Sequence, residues 1–197
     1  MTLKNKSIAV FCGSAIGHNN AIIEEATKLG ETFAAQKISL VYGGASVGIM
    51  GTIADAVLKN KGHVIGIIPS FFSKKEIAHN GLSELIYVET MAHRKELLAK
   101  YSDAFIILPG GYGTLDEMFE VLTMSQLNMH QKSVGILNIN GFYDSLIQQL
   151  AVMNKEGFLR DNHYKMFVHS NHIDDLLQKM ESHLIAQEQE WLDWAKE

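Results

Sequence analysis

The sequence predicts an α/β fold, a single doubly wound domain with a mostly parallel sheet, and three observations carry that prediction. Short apolar runs alternate with stretches of helical periodicity from end to end. The runs show no in/out alternation, as expected of parallel strands covered on both faces. Both prolines and several glycines follow directly after the runs, at what becomes one edge of the sheet.

Residues 8–12 form the first strand, closed by Gly13 and Ser14. Residues 19–36 then place Ile22, Ala26, Leu29 and Phe33 on one helical face. Residues 38–42 are a second strand ending in Gly43 and Gly44, and Met50, Ile53, Ala54, Val57 and Leu58 mark the next amphipathic helix. Residues 63–68 are a third strand, 69–83 lack a period and read as a loop, and 85–88 are a short fourth strand. A helix over 91–101, a strand at 104–108, a helix at 114–128, a strand at 134–138 and a helix at 142–153 follow. A short strand at 166–168 and a helix at 172–186 complete the pattern. No linker or repeat interrupts it. The reading is one Rossmann-like nucleotide-binding domain over 1–186 and an amphipathic tail over 187–197, whose Trp191 and Trp194 serve packing or an interface. In such sheets ligands bind at the carboxyl ends of the strands. Pro69, Pro109, Gly13, Gly43, Gly44, Gly110 and Gly111 all fall there.

The composition bounds the function. With 197 residues, 47% of them apolar, the chain suits one globular domain. Its net charge of −5 and the lack of a long basic run argue against a nucleic-acid surface. One cysteine, Cys12, allows neither an intrachain disulfide nor a cysteine metal cluster. The polar N-terminus and the lack of a long apolar stretch indicate neither a signal peptide nor a membrane span, so a cytoplasmic location is expected.

Residues 109–117, Pro-Gly-Gly-Tyr-Gly-Thr-Leu-Asp-Glu, are the most informative stretch. A strand empties into a glycine-rich turn that opens a helix, which presents backbone N–H groups to an anion. Residues 44–48 lack the Lys-Ser/Thr end of a Walker A loop, and Asp116 stands where a dinucleotide fingerprint needs its third glycine. Two glycine-rich turns therefore remain as candidates for a phosphate or a ribose, after the second and fifth strands. Glu117, at the end of the later one, has two readings. It closes a capping box with Thr114 as N-cap, worth about 1 kcal/mol, or it is a reactive carboxylate. Arg94 bears on that choice. It shares a helical stripe with Leu97, Leu98 and Tyr101, so it either snorkels to solvent or aims into a pocket. Its helix reaches the same sheet edge, where a cation beside a carboxylate and an anion cradle forms a reaction centre for a phosphorylated substrate.

Other residues carry weaker signals. His93 reads as a partly exposed helical residue. His18, His63, His79 and His130 are scattered without metal-ligand spacing, so no metal is expected. Cys12 reads as a packed strand residue, and Met118, Met124 and Met129 as core or interface filling. Phe71 and Phe72 either wall an aromatic base or pack.

Gly43-Gly44 with Gly48-Ile49-Met50-Gly51, then His93-Arg94-Lys95, then residues 109–117 resemble the Lonely Guy family of cytokinin-activating enzymes. The motifs run in the family's order over residues 43–117, and the strand–helix layout fits over residues 7–153. The resemblance implies a Rossmann-like homodimer without cofactor that acts on a small nucleotide substrate. It implies a phosphoribohydrolase, which cleaves the N-glycosidic bond of purine nucleoside 5′-monophosphates, N6-substituted adenine nucleotides and AMP among them. It implies Arg94 and Glu117 as the catalytic pair. Substrate contacts are implied for Glu76, Lys95, Gly110, Gly111, Tyr112, Gly113, Thr114, Leu115 and Asp116, with Gly43, Gly44 and Asn128 completing the set. The lysine decarboxylase label often given to such proteins finds no recognisable pyridoxal-phosphate lysine context here. Plant members usually carry a tryptophan where this chain has Met124, which bears on base preference rather than on the chemistry. The alternative expectation is a carrier of nucleotide or molybdenum cofactor on the same fold.

Overall fold

A computed structural model describes residues 2–73 and 77–194, with backbone alone for Ser73 and residues 184–194. Seven strands form one sheet: β1 (Ser7–Phe11), β2 (Ser39–Tyr42), β3 (Val64–Pro69), β4 (Glu84–Val88), β5 (Ala104–Ile107), β6 (Val134–Leu137) and β7 (Phe167–Ser170). Their order is β4-β3-β2-β1-β5-β6-β7, and every pairing is parallel. The sheet is thus wholly rather than mostly parallel. The helices are α1 (Asn20–Gln36), α2 (Gly48–Lys59), α3 (Ser70–Ser73), α4 (Met91–Lys100), α5 (Tyr112–Gln126), α6 (Asp144–Lys155), α7 (Asp161–Tyr164) and α8 (Ile173–Trp194).

The central strands are largely apolar because each face meets a helical layer, whereas the edge strands expose Glu84 and Tyr87 of β4 and His169 of β7. Along β1, Ile8 and Val10 join a core with α1, α2 and α8, including Leu29, Phe33, Ile53, Leu176 and Met180. Ala9 and Phe11 join the opposite core with Leu98 and Ala99 of α4, Met118 and Val121 of α5 and Leu150 of α6. Successive strand side chains point to opposite faces, so one continuous apolar run feeds both cores. Each central strand therefore removes apolar side chains from water on both sides, at about 1.5–3 kcal/mol for each large side chain buried.

The topology fixes the candidate edge. From β1 the chain winds outward through β2 and β3 to β4, then returns past β1 to β5 and winds the other way. The strand order reverses between β1 and β5, which opens a crevice at their carboxyl ends. There Leu108 N–H donates to Phe11 C=O and Gly13 N–H to Pro109 C=O, at 2.9 and 3.1 Å.

Several boundaries differ from expectation. Helix α5 begins at Tyr112, two residues before the predicted start, and α6 is shifted to Asp144–Lys155. Strand β7 is Phe167–Ser170 rather than 166–168. The stretch read as a loop holds the short helix α3, and Ala78 bridges Ala45. Helix α8 runs unbroken to Trp194, so the expected division after residue 186 falls within one helix. The side chains of Trp191 and Trp194 lie outside the described residues.

Candidate active site

Strand β5 delivers the chain into residues 108–111, and α5 starts at once with Gly111 as N-cap. Gly111 has no side chain to cap the helix, and the first helical bond runs from Leu115 N–H to Gly111 C=O. The N–H groups of Tyr112, Gly113 and Thr114 precede that bond and lack helical acceptors. Gly111, Tyr112 and Gly113 are exposed, Tyr112 to 95%. This is an uncapped helix N-terminus open to solvent, with its dipole favouring a negative ligand.

The capping-box reading does not hold. Thr114 lies inside the first turn rather than at the N-cap, and its hydroxyl packs against the backbone of Gly110. Glu117 has turned instead toward α4. Its Oε1 accepts from Arg94 Nη1 at 2.8 Å, and each side chain is only 11% exposed. Helix α4 holds Arg94 in place because Thr90 caps its N-terminus, accepting from His93 N–H at 3.1 Å. Arg94 Nε also donates to Ile67 C=O of β3 at 3.1 Å. The guanidinium does not snorkel; it is fixed between β3 and α5.

A second ion pair lies beside the first. Lys95 reaches Asp116 at 3.1 Å and Glu120 at 3.0 Å. Adjacent cations on α4 thus meet adjacent carboxylates on α5, which sets the spacing of the two helices.

Burial dominates the electrostatics. Desolvation pushes the Glu117 carboxyl above the ordinary carboxylate range, and the charge and hydrogen bond of Arg94 pull it back part of the way. Such a carboxylate is a stronger base than an exposed one. Beneath it Cys12 is buried, and burial, then the charge of Glu117, push its thiol up. It stays protonated and is not a nucleophile. Lys95 is pushed up by its bond to Glu120, which keeps it charged. A Schiff-base lysine needs the opposite shift.

The structure thus brings together Arg94, Lys95, Asp116, Glu117 and residues 110–114. Leu115 packs into the core shared by α4, α5 and α6. Asn128 falls out of the group: it lies beyond the far end of α5, whose 15 residues span about 22 Å. Its backbone is left-handed, φ 57°, so it serves as a helix terminator. Gly43 and Gly44 are buried rather than open to a ligand. Glu76 lies outside the described residues. Tyr143 was missed: its hydroxyl donates to Leu108 C=O at 2.8 Å and steadies the turn from below. No local signal marks it, since the contact joins residues 35 apart in sequence.

Of the two glycine-rich turns, the geometry separates the roles. At α2, Ile49 N–H is already taken by Gly13 C=O at 3.1 Å, whereas the first amides of α5 face open space. Among the described residues no three or more His, Cys, Asp or Glu gather as a metal site, and no helix is long and apolar enough to cross a membrane. An open hollow between α1 and α8, lined by Lys28, Thr32 and Asp174, contains neither Arg94 nor Glu117.

Comparisons with known proteins bear on this geometry. A family model described as possible lysine decarboxylase matches residues 50–180. A cytokinin riboside 5′-monophosphate phosphoribohydrolase of Arabidopsis thaliana is 40% identical over 193 residues, covering 95% of this chain and 91% of its own. A second from that plant is 42% identical, covering 91% and 84%. A probable enzyme of the same name from Oryza sativa is 41% identical, covering 91% and 79%. Among solved structures, the molybdenum cofactor carrier protein of Chlamydomonas reinhardtii aligns with a TM-score of 0.66 at 16% identity, over 92% of this chain and 98% of that one. The molybdenum cofactor binding protein of Rippkaea orientalis aligns at 0.61 and 22%, over 84% and 89%. At such identities the likeness is one of fold.

Proposed function

The chain belongs to the Lonely Guy family of cytokinin riboside 5′-monophosphate phosphoribohydrolases, and from that premise we propose that it hydrolyses the N-glycosidic bond of purine nucleoside 5′-monophosphates. N6-substituted adenine nucleotides and AMP are its substrates, and free base and ribose 5-phosphate its products. The observation that carries this reading is the Arg94–Glu117 pair, buried at the mouth of an open anion cradle.

The 5′-phosphate lies on the amides of Tyr112, Gly113 and Thr114, where the α5 dipole favours it. The ribose then faces Glu117. As the C1′–N bond lengthens, its electrons leave with the base and positive charge grows on the ribose. The Glu117 carboxylate stabilises that charge and takes a proton from the attacking water, whose oxygen bonds to C1′. The departing base takes up a proton from solvent, which the Glu117 proton replaces as the carboxylate is restored. Arg94 orients the carboxylate and keeps a share of it ionised despite its burial. A carrier on the same fold needs the cradle but not a carboxylate clamped beside it, so the pair favours hydrolysis. Exposed apolar side chains on β4, α4 and α5, namely Tyr87, Met91 and Phe119, suit a homodimer. A cytoplasmic location goes with such a nucleotide substrate and belongs to the same proposal.

Product analysis tests the reaction. Incubation with AMP and with N6-isopentenyl-AMP should release free base, and Glu117→Gln should lower kcat by about 10²–10³. Intact nucleotide recovered from the wild type, or a folded Glu117→Gln variant at the wild-type rate, would overturn the proposal.

A further inference from the structure

We propose that Gly43 is a positioning residue: the space left by its missing side chain is the berth that fixes the Arg94 guanidinium against Glu117. The inference rests on the reading of Arg94 and Glu117 as the catalytic pair, and it gives Gly43 a role other than substrate contact.

Gly43 follows β2 and is buried. Its φ does not lie in the left-handed region, unlike that of its neighbour Gly44 at 74°. The backbone would therefore accept an L-residue, and conformation does not explain the glycine. Space does. A Cβ at Gly43 would be driven into Arg94 Nη2, and would stand 3.2 Å from Arg94 Cζ and 2.9 Å from Met50 Sδ. Met50 is a flexible neighbour that can turn aside. The guanidinium cannot, because its Nε is bound to Ile67 C=O and its Nη1 to Glu117.

The β2–β3 ladder ends at Tyr42 and Gly66, and the Ile67 carbonyl just beyond it takes the Arg94 Nε. Three elements thus close on one side chain: β3 through a carbonyl, α5 through a carboxylate, and the β2–α2 turn through the absence of a methyl group. Arginine is fixed in a single planar orientation, with the Glu117 carboxylate held where it meets the ribose.

The test is a double-mutant cycle in the full chain, read by AMP turnover and by Tm. Gly43→Ala should lower kcat by about 10²-fold, as a misplaced catalytic group does, with KM within about threefold. In an Arg94→Ala background the same substitution should change kcat by less than about twofold, and the Tm loss it causes should disappear, because the obstructing group is gone. Were Gly43→Ala alone too unstable to assay, recovery of a folded protein in Gly43→Ala/Arg94→Ala would carry the same conclusion. Equal losses in both backgrounds, or a folded Gly43→Ala enzyme at the wild-type rate, would overturn the proposal. A wild type that does not cleave AMP would sink the proposed reaction, whereas absence of Tm coupling would sink the berth.

Discussion

The turn at residues 43–51 and the turn at residues 110–117 both follow a parallel strand and both open a helix, yet their glycines meet different surroundings. In the first, each added Cβ would strike the chain itself. At Gly43 it meets Arg94, at Gly48 the Ser14 backbone and at Gly51 the Ser46 backbone, while Gly44 and Gly48 have φ of +74° and +65°. In the second, Gly110 is tight against Thr114 and Gly13, but a Cβ at Gly111 or Gly113 would meet nothing within 4 Å, at φ values any residue adopts. The fold needs Gly44, Gly48 and Gly51, while Gly43 makes room for Arg94. The fold does not need Gly111 and Gly113, whose bareness suits the close approach of a ligand to backbone amides. One motif type thus meets close packing at one strand end and open space at another.

That contrast is broken or sharpened by substituting one glycine from each turn. Gly113→Ala should leave Tm within about 1 °C, since open space adds no strain. It should raise the KM for AMP about 10- to 100-fold, the worth of a lost hydrogen bond to a charged group. Gly48→Ala should do the reverse, destabilising the fold by about 2–3 kcal/mol through a positive φ and a backbone clash. Denaturant titration and steady-state kinetics read both. If Gly113→Ala unfolds the protein, or Gly48→Ala alters only KM, the division of roles is wrong.

A smaller effect lies in the pH profile. Burial holds the Glu117 proton more tightly than an exposed carboxyl does, and the proposed reaction needs the ionised form. The acid limb of kcat/KM should therefore fall above the usual carboxylate range, with activity lost as pH drops through it. Arg94 is the largest influence that favours the ionised form, so Arg94→Ala should move the limb to still higher pH. A limb at the ordinary glutamate value, or one that Arg94→Ala leaves in place, would contradict the burial argument.

The sheet was legible because continuous apolar runs report burial on two faces, and both cores confirm that reading along β1. The helix faces were legible from their period. The start of α5 was not: Thr114 to Glu117 carries a capping pattern, but a glycine N-cap and the Arg94 bond prevailed over it. Arg94 could be noticed because it stands on an apolar stripe. Ile67 and Tyr143 could not, since each acts across a long stretch of chain, through a carbonyl and a phenol that carry no local pattern. Asn128 was placed by motif likeness alone, and the length of α5 removes it from the turn within one chain.

The central claim is that the 110–117 turn holds a 5′-phosphate while Glu117 serves the bond that breaks. Parallel turnover of AMP and adenosine by the wild-type chain tests it most directly. A phosphate held by several charge-assisted hydrogen bonds predicts a kcat/KM for AMP at least about 10³-fold above that for adenosine. Equal values for the two substrates would contradict the account.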